Sequence, residues 1–326
     1  MIGTSQRAAV LVDPLTTRVQ SAPMPAPSSG EVRVRLQGCG ICASNLSVWE
    51  GRPWFKYPRD AGSPGHEGWG IVDAIGEGVA DIEVGERVAM ISGHAYAEYD
   101  IAPRSAVVRL PREFDQLVFP GEPLGCVMNI FERSDIRAGQ KVAIVGAGFL
   151  GLLLTQLATR AGADVVVLSR REYALGVAKS MGARETFDTA DAYAAKEGAL
   201  RAAGGKGYDR VIEAVGMQST LDLASSLTAE YAKLIIAGYH QDGLRQINLQ
   251  EWNWRAIDVV NAHERSVERY VGGVQRAVDA ILQGRMDPFG LFTHAVSLES
   301  LDHGFEMTRD RPDGFMKAVV TMGGRA

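Results

Sequence analysis

Apolar and polar residues alternate along the first third of the chain. Val32, Val34 and Leu36 are separated by charged or polar neighbours, the pattern of a half-buried strand. Glycine-rich turns then punctuate Ile71-Val72-Asp73-Ala74-Ile75 and Glu86-Arg87-Val88-Ala89-Met90-Ile91, so this region reads as β-rich. Near residue 140 the pattern changes. The continuous apolar run Val142-Ala143-Ile144-Val145 leads through glycines into a helical stretch from Leu150 to Arg160. A strand (Val165 to Leu168), a helix (Glu172 to Met181), a strand (Arg210 to Glu213), a helix (Thr220 to Leu227) and a strand (Lys233 to Ala237) follow. Strands that are apolar throughout and alternate with helices predict an α/β fold with a parallel, doubly wound sheet. Past Ser266, an amphipathic helix from Tyr270 to Leu282 leads into short extended segments that are free to rejoin the β-rich part.

Length and composition sharpen this picture. At 326 residues the chain exceeds what one core usually supports and predicts two domains. With 46% hydrophobic and 22% charged residues it has the balance of an ordinary soluble globular protein. A net charge of -5 provides no electrostatic footprint for nucleic acid or an anionic membrane, so the expected partner is a small molecule. The apolar stretch Ala8 to Val12 is cut short by Asp13, and no segment approaches the length of a membrane span. Three cysteines, Cys39, Cys42 and Cys126, are too few for a disulfide framework, and a reducing, cytoplasmic setting is expected.

Gly146-Ala147-Gly148-Phe149-Leu150-Gly151 fits the dinucleotide fingerprint G-x-G-x-x-G, between a buried strand and a helix. In that context the first glycine makes a tight turn and the second lets backbone approach a pyrophosphate. The third lets helix and strand pack closely, and the helix start faces the anion. An NAD site usually ends its second strand with an acid. Here Ser169 holds that place and Arg170 and Arg171 follow. A hydroxyl and two guanidiniums suit a 2′-phosphate, which predicts NADP(H) in preference to NAD(H). The same arginines also read as solvated residues at a helix start.

Three short signatures stand in the N-terminal half: Gly40-Ile41-Cys42-Ala43-Ser44-Asn45, Pro64-Gly65-His66-Glu67-Gly68 and Gly121-Glu122-Pro123-Leu124. Thiolate, imidazole and carboxylate are all zinc donors, and a catalytic zinc takes three of them. Each residue also has a structural reading: Cys42 as a small core residue, His66 as a turn histidine, Glu122 as a helix cap.

Taken together with the glycine fingerprint and Val211-Ile212-Glu213-Ala214-Val215-Gly216, these signatures resemble the zinc-dependent branch of the medium-chain dehydrogenase/reductase family, near the sorbitol and other polyol dehydrogenases. The resemblance implies a GroES-like catalytic domain, 1–122 plus 267–326, around a Rossmann domain, 123–266, with the active site in the cleft between them. It implies one catalytic zinc on Cys42, His66 and Glu122, with Glu67 able to join the shell. Ser44 becomes the first proton-relay group, and Asn261 and Arg265 fall beside the nicotinamide and substrate. It also implies a homodimer or homotetramer.

Two departures from the family matter. The lobe that carries a second, structural zinc is missing, since Met90 is followed almost directly by Gly93-His94-Ala95-Tyr96-Ala97-Glu98-Tyr99. Asn45 and Ser47 replace an acid that orients the zinc histidine and a histidine that passes the proton to solvent, which predicts weaker polarisation of the metal ligand. Trp49, Trp54, Tyr239, His240 and Gln241, together with Asn261 to Arg265, suggest a polyhydroxylated substrate such as a sugar or cyclitol, although ordinary surface loops carry such residues too. Two other functions share the fold: a zinc-free reductase of an activated double bond, and a non-catalytic cofactor-binding protein.

Overall fold

The computed structural model describes residues 4–323. In chain order, β1 (Ser5–Asp13) and β2 (Thr16–Pro23) form an antiparallel pair. Then come β3 (Glu31–Gly40), the one-turn helix α1 (Leu46–Trp49), β4 (Gly68–Ile75), β5 (Arg87–Met90), β6 (Tyr99–Pro103), β7 (Val107–Arg109) and helix α2 (Gly121–Ser134). The next stretch alternates: β8 (Lys141–Val145), α3 (Phe149–Arg160), β9 (Asp164–Ser169), α4 (Glu172–Ser180), β10 (Glu185–Asp188), α5 (Ala192–Ala202), β11 (Tyr208–Glu213), α6 (Gln218–Leu227), β12 (Thr228–Ile236), α7 (Leu249–Trp254) and β13 (Asp258–Asn261). The chain ends with α8 (Val267–Leu282), β14 (Phe292–Ser297), α9 (Leu301–Asp310) and β15 (Lys317–Thr321).

These elements form two compact units. The first comprises Met1–Gly125, Arg265–Asp279 and Pro288–Ala326, and the second Cys126–Glu264 and Ala280–Asp287. In the first unit the main sheet runs β14-β15-β3-β4-β5-β7, with β6 also paired to β3. Val32, Val34 and Leu36 point into its core and are at most 3% exposed. The one polar side chain between the first two, Arg33, is buried as well and pairs its guanidinium with Asp73 at 2.6 and 2.8 Å. Pairing β15 with β3 brings the C-terminal segment beside the end of β3, with Val319 opposite Gly40 and Val320 opposite Cys39.

The second unit is a six-stranded parallel sheet in the order β10-β9-β8-β11-β12-β13. The strand order reverses beside β8, and in open α/β sheets such a reversal opens a crevice at the carboxyl ends of the strands. Val142, Ala143, Ile144 and Val145 are at most 1% exposed because helices cover both faces of β8. Their burial is the chief stabilising term, about 1.5–3 kcal/mol for each large aliphatic side chain. Among the described residues no helix is long and apolar enough to cross a membrane.

Replacing Ile144, wholly buried in β8, by alanine leaves a cavity in a close-packed layer. The expected loss is about 2–5 kcal/mol, read as a lower urea midpoint with an unchanged slope.

Candidate active site

The chain leaves β3 at Gly40 and is tied at once to β15, where the Ile41 amide donates to the Ala318 carbonyl at 2.9 Å. A single 3₁₀ turn over Ala43–Asn45 then sets Cys42 and Ser44 side by side, with Ser44 Oγ 3.2 Å from Cys42 Sγ. From the loop before β4 come His66 and Glu67. Cys42, His66 and Glu67 each offer a donor atom, and these atoms all lie within 4.8 Å of one another.

His66 is oriented by backbone. Its Nδ1 lies 3.0 Å from the Pro64 carbonyl, which fixes Nδ1–H as the donor and leaves Nε2 as the ring's free lone-pair nitrogen in the neutral form. Asn45 supports this arrangement indirectly. Its Nδ2 donates to the same carbonyl at 3.2 Å and to Tyr96 Oη at 2.9 Å, while Tyr96 donates to the Gly40 carbonyl at 3.3 Å. Burial pushes the Tyr96 hydroxyl well above its usual range, so it stays a donor. A neutral carbonyl and an amide thus hold the imidazole where the family resemblance implies a carboxylate. Ser47 is buried and donates to the Ser44 carbonyl at 3.2 Å, so its hydroxyl is occupied within the turn.

Glu67 is fully buried and faces Lys317, itself only 6% exposed. The ammonium lies 2.9 Å from Oε1 and 2.7 Å from Oε2 and also donates to the Ile41 carbonyl at 3.2 Å. Oε2 receives no well-angled hydrogen bond and rests against Gly40, where any Cβ would overlap it. Burial opposes the Lys317 charge, but Glu67, and then Cys42, outweigh it and hold the pKa above the ordinary lysine value. His66 behaves alike: burial lowers its pKa, but the hydrogen bond and charge of Cys42, with the charges of Glu122 and Glu67, bring it up to about 10. The same setting, burial first and Glu67 second, pushes the Cys39 thiol upward and keeps it neutral. The thiol, the imidazole and the Glu67 carboxylate form a donor set suited to a zinc-like cation.

Glu122 stands apart from the convergent three. It occupies the first turn of α2, and its charge is felt by both His66 and Lys317, but its oxygens are outside the 4.8 Å group. Lys317 lies outside every sequence motif. A lysine at the head of the apolar run Ala318-Val319-Val320 was the available signal, since such a position is buried only when paired. Trp49 is corrected from substrate contact to core. It is 1% exposed, stacks on Phe305 at 5.5 Å and donates its Nε1–H to Asp302 at 2.9 Å. Trp54 is 61% exposed.

In the second unit Gly146 follows β8 with φ +113°, a conformation open to glycine, and a Cβ there would meet Val215 at 2.6 Å. A Cβ at Gly151 would overlap the Gly146 carbonyl, whereas one at Gly148 would meet nothing within 4 Å. Gly148 is therefore the open point of the loop, at the N-cap of α3, where no side chain caps the helix. Phe149 and Leu150 form the first turn of that helix. Ser169 ends β9 and its Oγ accepts the Arg171 amide at 3.3 Å, while Arg171 Nη2 reaches back to the Ala147 carbonyl at 3.4 Å. Arg170 is exposed, as are Asn261 at the end of β13 and Arg265 beyond it.

Comparison with known proteins gives the same class. Residues 28–112 match the alcohol dehydrogenase GroES-like domain, and residues 150–282 match the zinc-binding dehydrogenase domain. The chain belongs to the zinc-type medium-chain dehydrogenase family. It is 27% identical to an uncharacterized zinc-type alcohol dehydrogenase-like protein, YdjJ, of Escherichia coli K12, over 96% of this chain and 97% of that one. Sorbitol dehydrogenase of Gallus gallus is 26% identical over 95% of each chain. The crystal structure of an Escherichia coli CFT073 alcohol dehydrogenase, RspB, complexed with NADH shares the fold with a TM-score of 0.86 at 22% identity, covering 98% of this chain and all of that one.

Lys317→Met strands the Glu67 carboxylate in the core and is expected to cost about 3–5 kcal/mol. The double variant with Glu67→Gln should recover most of that loss in chemical denaturation. Because the folded Lys317 pKa lies above the ordinary value, the pair's contribution is full below that value and is lost as pH rises through the folded one. A wild-type stability profile should therefore fall on the alkaline side more steeply than that of the double variant.

Proposed function

We propose that this chain is a zinc-dependent oxidoreductase that moves a hydride between a secondary alcohol, on a sugar, polyol or cyclitol, and NADP(H). The observation that carries the reading is the convergence of the Cys42, His66 and Glu67 donor atoms beside Ser44. In the proposal Cys42, His66 and Glu122 hold one zinc, and Glu67, poised on Lys317, is the acid able to join or leave the shell. Zinc supplies Lewis-acid polarisation of a substrate oxygen, and the nicotinamide supplies the hydride acceptor or donor.

The chain's own residues do the rest. Ser44 Oγ takes or returns the hydroxyl proton. Ser47 is occupied by the Ser44 carbonyl, so the proton's onward route runs through other groups than that side chain. The Gly146–Gly151 loop and the start of α3 receive the pyrophosphate. Ser169, Arg170 and Arg171 receive a 2′-phosphate, a role supported by the absence of any acid at the end of β9. Asn261 and Arg265 are assigned to the nicotinamide and substrate side. The similarity to sorbitol dehydrogenase supports a polyol substrate, and exposed Trp54 offers a flat apolar face for one. Association into a homo-oligomer and a cytoplasmic setting belong to the same proposal.

Metal analysis of the purified protein tests the reading. The expected result is one zinc per chain, lost in Cys42→Ala together with polyol oxidation. Protein prepared in zinc-supplemented medium without chelator that carries no zinc would sink it. For the cofactor, Arg170→Ala with Arg171→Ala should lower the NADP⁺ to NAD⁺ ratio of kcat/KM by about tenfold or more, the loss of charge-assisted hydrogen bonds to one phosphate. An unchanged ratio would return the arginines to solvated surface residues.

A further inference from the structure

Glu213 ends β11 wholly buried, yet among the described residues no lysine or arginine forms a salt bridge with it. Its Oε1 accepts from the amides of Val215 at 2.8 Å and Gly216 at 2.9 Å and from Thr220 Oγ1 at 2.8 Å. Its Oε2 lies 3.0 Å from His240 Nε2. On the far side of the ring, Arg245 Nε donates to His240 Nδ1 at 3.0 Å. Since a guanidinium only donates, Nδ1 must be the acceptor and Nε2–H the donor, so the imidazole is held as one neutral tautomer between carboxylate and guanidinium. Arg245 then closes a ring by donating from Nη2 to the Gly216 carbonyl at 3.0 Å. Gly216 is thus gripped at both ends, its N–H by Glu213 and its C=O by Arg245.

The backbone around this ring is packed without slack. A Cβ on Gly238 would meet Glu213 Oε2 at 2.6 Å, and one on Gly216 would meet the Tyr239 carbonyl at 2.5 Å. The turn 214–217 reaches the glycine loop as well, because a Cβ on Gly146 would meet Ala214 at 3.2 Å. The ring therefore locks the turn after β11 to the loop after β12, at the carboxyl ends of the two strands on the far side of β8 from β9. In a doubly wound dinucleotide fold the sheet has two mononucleotide-binding halves. The adenosine ribose lies at the strand on one side of the switch point, here β9, which leaves the nicotinamide nucleoside to the β11–β12 side.

We infer that Glu213, His240 and Arg245 are positioning residues for the nicotinamide half of the cofactor. They hold Ala214–Gly216 and Gly238–Tyr239 as one preformed floor, so the dinucleotide binds without the cost of ordering two loops. The inference rests on the dehydrogenase reading above, but it concerns only one half of the cofactor, and that separates the two in experiment. Among the described residues, the hydrogen bonds of His240 and Arg245 run to Glu213, to each other and to the Leu244 and Gly216 carbonyls. None of these lies in the glycine loop or at the end of β9, so their loss should leave the adenosine half alone.

The test compares wild type, His240→Ala, Arg245→Ala and Arg245→Lys for binding of NADPH and NADH by fluorescence and of ADP and its 2′-phosphate by calorimetry. Arg245→Ala and His240→Ala should bind the reduced dinucleotides about tenfold more weakly, with the nicotinamide-free probes changed less than twofold. Arg245→Lys, which lacks the planar fork that spans His240 and Gly216, should rescue little of the loss. Hydrogen exchange at the Gly216 amide should speed up in the alanine variants, a readout independent of cofactor. Equal weakening of both probe classes, or no weakening of either, would overturn the assignment. A wild-type chain that bound neither class would instead remove the dehydrogenase reading, and this inference with it.

Discussion

Two opposite charges buried inside the first unit, the Lys317 ammonium and the Glu67 carboxylate, tie its C-terminal strand to the loop before β4. Glu67 is fully buried and Lys317 is only 6% exposed, and separating them would leave each as an unpaired ion in a medium of low dielectric. They are 250 residues apart in sequence, so their attraction fixes where the C-terminal strand must lie relative to the loop before β4. Lys317 also holds the Ile41 carbonyl, one residue before Cys42, and Glu67 follows His66 directly. The thiol and the imidazole are thus each placed next to one end of the same buried ion pair, and Gly40 leaves room for the carboxylate between them.

Glu213 solves the same problem in the second unit by other means. It too is fully buried, and it too lies against a glycine, Gly238. Its charge is met by two backbone amides, a hydroxyl and an imidazole rather than by an ammonium. Several aligned dipoles can satisfy the oxygens of a buried carboxylate as one counter-ion can. The consequence differs, however. The ionic pair ties distant segments into one sheet, while the dipolar ring stiffens two neighbouring turns.

The histidine at the candidate metal site shows how a departure in sequence is absorbed in three dimensions. Asn45, taken alone, removes a carboxylate that the family resemblance places behind the imidazole. In the folded chain the Pro64 carbonyl takes over the Nδ1–H, and Asn45 buttresses that carbonyl and Tyr96 together. Orientation is kept, while the negative charge behind the ring is not. A cation in this site would therefore be less neutralised from behind than one backed by an acid.

The sequence by itself determined whatever depends on local order and periodicity. The apolar run of β8 followed by Gly146 to Gly151 specifies a strand, a tight turn and a helix start, because those residues meet within one turn of chain. The alternation of strands and helices after residue 140 specifies a parallel sheet, because both faces of each strand must be covered. Within the metal motifs, sequence spacing also set His66 beside Glu67, and Ser44 two residues from Cys42. Only the tertiary structure decided which of those side chains converge. The Glu67, Cys42 and His66 donor atoms converge within 4.8 Å while Glu122 sits in the first turn of α2, Trp49 turns inward onto Phe305, and His240 pairs with Glu213. Lys317 and Arg245 carry no motif at all. Their roles arise from what a buried carboxylate requires of its surroundings, and that requirement exists only once burial has occurred.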